Sequence, residues 1–245
     1  NDCDGQVDYG EEIIDTDILF IVDWSGSMDE EIAAVRVALN QFAQQFAAEE
    51  ALQWGLVIGP KELPRSDQEW LLKIADIVPF DQFLQAFAAL GSEGMDTGNE
   101  MLRDAIYLSV RNISAASDLD IPAFEWISDT NSQPDKNNFE IAWRPNTNRV
   151  VVLFSDEQPQ SFLRPEIANS DVEDVLRAAI NLKFYAFVDP GWNGDSWEDA
   201  VAAGRGRRFE LTSNPNNMYN DLMSIIDEAC LPPDQQANNL SLEYN

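Results

Sequence analysis

The chain has 245 residues, 44% of them hydrophobic, with 44 acidic against 15 basic side chains, a formal charge of -29 and no histidine. That length and apolar content suit one large α/β domain with a full core, while the charge makes nucleic acid and bare membrane poor partners and cations good ones. Without histidine the usual general base, the Ser-His and Cys-His nucleophile pairs and every histidine-bearing zinc site are excluded, and no stretch approaches the roughly 18 to 20 unbroken apolar residues of a membrane span.

Residues 1–12, NDCDGQVDYGEE, form a polar, aspartate-rich element ahead of the first apolar run. This opening reads as the middle of an acidic motif, so the expected context is a longer exported chain with further domains. The domain proper is expected over 13–232. Ile18 to Val22 is a short β-branched run suited to a strand buried on both faces, ending at Asp23. From Asp29 to about Glu49, Ile32, Val35, Leu39, Phe42 and Phe46 recur at helical spacing, and acids crowd the first turn where the helix dipole favours them.

The alternation continues. LQWGLVIGP and WLLKIADIVPF read as strands, DQFLQAFAAL as a short helix closed by Gly91, and MLRDAIYLSVRNI as a helix after the loop GSEGMDTGNE. From about Ser117 to Asn148 the pattern weakens into an irregular insertion. RVVVLFSDE is a second strongly β-branched run ending in an aspartate, Asp156. DVEDVLRAAINL (helix), KFYAFVDP (strand), SWEDAVAAG (helix), RRFELTS (strand) and PNNMYNDLMSIIDEAC (helix) follow. Strands alternating with helices predict an α/β, doubly wound, mostly parallel central sheet flanked by helices. Residues 233–245 read as a linker or tail.

In open parallel sheets, sites form beyond the C-terminal strand ends, at the switch in strand order. The loop DWSGSM sets Asp23, Ser25 and Ser27 at alternate positions, where one carboxylate and two hydroxyls can converge. Such oxygen ligands suit hard cations: Mg²⁺ or Ca²⁺, with Mn²⁺ possible. Gly26 is expected to permit a sharp turn between the serines. The competing reading is that Asp23 and the serines merely cap the following helix. Trp24, between Asp23 and Ser25, either points outward beside the metal as an interface residue or packs inward.

With its D-x-S-x-S loop after the first strand, its VVLFSDE strand and its alternation of elements, the chain resembles the von Willebrand factor A and integrin I domains over roughly 13–232. The resemblance implies a Rossmann-like von Willebrand factor A fold with a metal-ion-dependent adhesion site. It also implies that Ser25 and Ser27 bind metal directly while Asp23 and Asp156 act largely through water. The family's third loop supplies a threonine. Aligning GMDTG with the common GTNTG puts Met95 there, a poor ligand for a hard cation, so Asp96 or Thr97 must substitute. Aligned instead on EMLRDAI, the loop resembles integrin β subunits, which implies Glu100 as the metal-reaching residue. Met28-Asp29-Glu30-Glu31 resembles the integrin β pattern for an adjacent regulatory Ca²⁺, against the plainer reading of solvated helix N-terminal acids.

Asp2, Asp4, Gly5, Asp8 and Glu11 keep EF-hand spacing with the first ligand missing. They also resemble DNDCDG-type motifs of secreted multidomain bacterial proteins. Cys3 and Cys230, near opposite ends of the chain, are too far apart for a CxxC motif. They are expected either to form one disulfide, which would place the protein in an oxidising compartment, secreted or at the cell surface, or to remain free.

The expected function is divalent-cation-dependent adhesion: a cation held by hydroxyls and waters keeps charge available for an acidic group of a protein or other surface ligand. The alternative is a structural Ca²⁺-binding module of a large exported protein. A metal-assisted hydrolase lacks a general base near the serine loop, so the chain is expected not to be an enzyme.

Overall fold

The computed structural model describes residues 15–46, 50–62, 69–90, 100–113, 141–162 and 166–229. Strand β1 (Thr16–Asp23) is buried along its whole length and leads, through Trp24, Ser25 and a one-turn 3-10 helix, into helix α1 (Asp29–Phe46). Strands β2 (Leu52–Glu62) and β3 (Glu69–Val78) precede helix α2 (Phe80–Ala88). Phe80, expected at the end of the strand, instead opens α2. Pro79 before it has no N–H for a sheet ladder and sets the helix entry.

Helix α3 (Leu102–Val110) is followed by β4 (Asn148–Ser155), α4 (Asn169–Ala178) and β5 (Leu182–Val188). Then come a one-turn helix α5 (Trp192–Asp195), α6 (Glu198–Ala203), a three-residue β6 (Arg208–Glu210) and α7 (Pro215–Ala229). The sequence pattern gave no signal for α5, a single turn after Pro190-Gly191. Of the expected insertion, residues 141–147 are described and carry no helix or strand, and β4 begins at Asn148 rather than Arg149.

The six strands lie in the order β3-β2-β1-β4-β5-β6. Every neighbouring pair is parallel except β2 with β3. This is the doubly wound, mostly parallel α/β architecture expected from the alternation. The strand period of two divides the apolar side chains between two cores. Ile18, Phe20, Val22, Val150, Val152 and Phe154 face one side, under α1, α2 and α7. Leu19, Ile21, Val151 and Leu153 face the other, under α3, α4 and α6. Chain direction reverses its lateral progress between β1 and β4, so the C-terminal ends of these two strands border the switch-point crevice.

At the opposite end of β1, Asp17 is fully buried. It accepts hydrogen bonds from the backbone N–H of Arg144 at 2.7 Å, from Arg144 Nε at 2.5 Å and from Thr147 Oγ1 at 3.3 Å. Arg144 also donates to the carbonyls of Thr16 and Ala51, fastening the segment before β4 to the start of the sheet.

Candidate metal centre

Parallel pairing sets Val22 beside Phe154 and brings Asp23 to the level of Ser155. Ser155 Oγ donates to Asp23 Oδ2 at 2.7 Å, and the backbone N–H of Ser25 donates to Asp23 Oδ1 at 2.9 Å. Both Asp23 oxygens are thereby oriented by donors on either side of the switch point. Asp23 and Ser25 are fully buried, whereas Ser27 is exposed. The two serine hydroxyls lie 3.0 Å apart. Ser25 stands at the N-cap of the 3-10 turn in extended conformation and makes no side-chain capping bond. The capping reading therefore fails for Ser25, whose hydroxyl is spent on its neighbour rather than on the helix end. The turn needs no glycine freedom either: among the described glycines only Gly191 has a positive φ, so Gly26 adopts a conformation open to other residues.

Asp156 follows β4 directly. Its Oδ1 is buried and has no hydrogen-bond partner, while its backbone carbonyl accepts from Asn193 Nδ2 at 3.0 Å. Burying a carboxylate oxygen without a donor is costly, and here the surroundings add to the cost. Burial, with a smaller repulsion from Asp156, pushes the Asp23 carboxyl up to about 7. Burial and then the carboxylates of Asp156, Glu30 and Asp189 raise Glu31. Burial and then Asp156 and Glu210 raise Asp189. Glu31, Asp189 and Asp156 thus share one negative field. An orphaned oxygen, two adjacent hydroxyls and two strand-end carboxylates fit a hard, oxygen-liganded cation. Among the described residues no group of three or more His, Cys, Asp or Glu converges as a metal cage, and this donor set is accordingly half hydroxyl.

Of the third loop, Met95, Asp96 and Thr97 lie outside the described residues, and so do Cys3, Cys230 and the EF-hand-like Asp2, Asp4, Gly5, Asp8 and Glu11. Glu100, the other candidate, is buried and its Oε2 accepts from Gln160 Nε2 at 2.7 Å. The Arg103 N–H donates to the Gln160 carbonyl at 2.9 Å, so the start of α3 is tied to the loop carrying Asp156. Met101, between them, holds a left-handed φ of 45°. Asp29 and Glu30 are exposed on the first turn of α1, while Glu31 is half-buried, and burial and then Asp156 raise its carboxyl.

Trp24 does not point outward. It is fully buried in the same core as Ile18, Phe20 and Val22, because the strand alternation carries through one more residue. Exposed aromatics on the loops around the site are Trp192 and, to a lesser degree, Phe162. Ser155, the orienting donor for Asp23, was also not singled out by sequence reasoning, although it stands in the quoted VVLFSDE run.

No protein-family model matches the chain, and no curated protein sequence matches it. Among solved structures, two of proximal thread matrix protein 1 (PTMP1) from the mussel byssus match with a TM-score of 0.56 each, at 10% and 11% identity. Each match covers 89% of this chain and 48% of the mussel chain. A von Willebrand factor type A structure from Catenulispora acidiphila matches with a TM-score of 0.48 at 14% identity, over 89% of this chain and 43% of that one. The chain therefore spans about half or less of the length of these proteins, and the likeness to the mussel protein is one of fold alone.

Proposed function

We propose that the chain is a divalent-cation-dependent binding module, engaging an acidic group of a partner through a cation held by Asp23, Ser25, Ser27 and Asp156, and that it is not an enzyme. The observation that carries this reading is the buried, unpartnered Oδ1 of Asp156 beside a carboxyl whose charge the protein itself does not neutralise. Mg²⁺ or Ca²⁺, with Mn²⁺ as a further option, matches these oxygen donors. Once bound, such a cation supplies positive charge and an open coordination position for a partner's carboxylate.

The protein's own residues have distinct parts. Ser155 and the Ser25 N–H hold Asp23 in one orientation. Asn193 holds the backbone of Asp156. Ser25 and Ser27 offer neutral oxygens, which leave more of a cation's charge unspent than carboxylates would. No histidine exists to act as general base. The acidic composition fits a secreted or cell-surface setting.

Binding of the protein to carboxylate-coated and hydroxyl-coated sensor surfaces, in Mn²⁺ and in EDTA, tests the reading. Retention on carboxylate alone, only with Mn²⁺, and lost in Ser27→Ala is the expected result. Ser27 is exposed, so that variant should keep its fold. A rise in melting temperature with Ca²⁺ but equal, metal-independent retention on both surfaces would instead favour the structural cation module.

A further inference from the structure

Trp192 is 76% exposed. Single exposed apolar residues are ordinary, but this one sits on a pinned loop. Asn193 Nδ2 bonds the Asp156 carbonyl at 3.0 Å, Trp197 Nε1 bonds the Glu157 carbonyl at 2.8 Å, and Arg208 pairs with Asp195 at 2.8 Å. Gly191 takes a φ of +105°, and a Cβ on Gly194 would stand 2.1 Å from the Asp189 carbonyl oxygen, so the turn is tight as well as tethered. The indole is thus held out to solvent, one residue from the side chain that grips the Asp156 backbone, with little ordering entropy left to lose on contact.

Around it negative charge predominates, and the Arg208 cation that reaches the loop is paired with Asp195. Residues 24–31, 156–162 and 189–199 carry nine carboxylates and no Lys or Arg. A partner bringing only a carboxylate meets repulsion from this rim, whereas flanking cations would be attracted by it and by the indole face. A second copy of the chain carries the same net negative charge and the same acidic face.

We infer that this face fits a polypeptide that presents its metal-binding carboxylate among Lys or Arg side chains, one of which stacks on Trp192. The inference rests on the cation-site reading above and deepens it by naming the partner's chemistry. Trp192 would act as the aromatic anchor and the carboxylate rim as the selector against purely acidic ligands.

Calorimetry tests this with three short capped peptides: one glutamate flanked by lysines and arginines, the same peptide with glutamine, and one glutamate flanked by glycines. Mn²⁺ is first titrated alone, as a separate reading. In Mn²⁺ the basic glutamate peptide should bind at least about tenfold more tightly than either control. Trp192→Ala should weaken that peptide about five- to thirtyfold while leaving Mn²⁺ affinity unchanged, and Trp192→Phe should retain part of the effect. If Mn²⁺ binds but the two glutamate peptides bind equally and Trp192→Ala changes nothing, the inference is overturned and the cation site stands. Trp192-dependent self-association in sedimentation would overturn it in favour of a second copy. Absence of Mn²⁺ binding to the wild type would remove the cation reading and this inference together.

Discussion

The Ser155 hydroxyl donates to Asp23 Oδ2 at 2.7 Å, joining the ends of the two central strands across the switch point. With the Ser25 N–H on the other oxygen, it leaves Asp23 no freedom to rotate. Ser155→Ala removes one of these donors from a fully buried carboxylate. A loss of about 1–3 kcal/mol of stability is expected, with cation affinity reduced about ten- to a hundredfold through the misoriented carboxylate. Denaturant melts and Mn²⁺ titration of the variant read the two effects separately.

The raised Asp23 carboxyl fixes the sign of a pH dependence. Its folded value of about 7 lies above the ordinary 3.8, so the folded chain holds a proton that the unfolded chain releases. The metal-free protein is therefore most favoured, in this respect, below pH 3.8, and loses that contribution as the pH rises through about 7. The full span is on the order of 4 kcal/mol. Glu31 and Asp189 act in the same direction, while Asp76, which burial would raise but hydrogen bonds from Lys73, Ala142 and Ile77 together hold lower, acts oppositely below its ordinary value. Melting curves in EDTA should fall from mildly acidic to mildly alkaline pH, and saturating Mg²⁺ or Ca²⁺ should flatten or reverse the trend. A metal-free protein that gains stability steadily over that range would contradict the assignment.

Much of this arrangement was legible in the residues. The β-branched runs before Asp23 and Asp156 are apolar on both faces, which is what a central parallel strand requires, and the ends of such strands are where a site is expected. What the pattern obscured was direction at the loop. Trp24 was open to either orientation on sequence grounds, yet Ile18, Phe20, Val22 and Trp24 share one parity, which continues past the end of β1 and buries the ring. Ser155 is hidden for a different reason: its partner is set by the β1–β4 register, a long-range relation that no local period encodes. Trp192 follows Pro190-Gly191, a turn signal with no apolar period around it, and that isolation was the available clue to its exposure. Glu100 stands where the spacing of EMLRDAI put it, at the threshold of α3, but its bond to Gln160 again depends on tertiary register.

The far end of β1, about 20 Å along the strand from Asp23, is held by a buried charge pair of its own. Asp17 is fully buried and its charge is met by Arg144. Arg144→Ala removes the ion-pair partner of that carboxylate, leaving only the attraction of Arg149 and two neutral donors, and should cost about 3 kcal/mol. Adding Asp17→Asn should recover part of the loss, because a neutral amide needs no counter-charge. Chemical denaturation of the single and double variants checks both statements, and Mn²⁺ affinity of whichever variant folds should equal that of the wild type.

The most direct test of the central claim is isothermal titration of Mn²⁺ or Mg²⁺ into the wild type and Asp156→Asn. The buried, unpartnered Oδ1 of Asp156 is the observation on which the cation site rests. The expected result is a saturable site in the wild type that is lost, or weakened about a hundredfold, in the variant, while the metal-free melting temperature stays level or rises as the repulsion on Asp23 is relieved. Equal cation binding by both proteins, or none by the wild type, would contradict it.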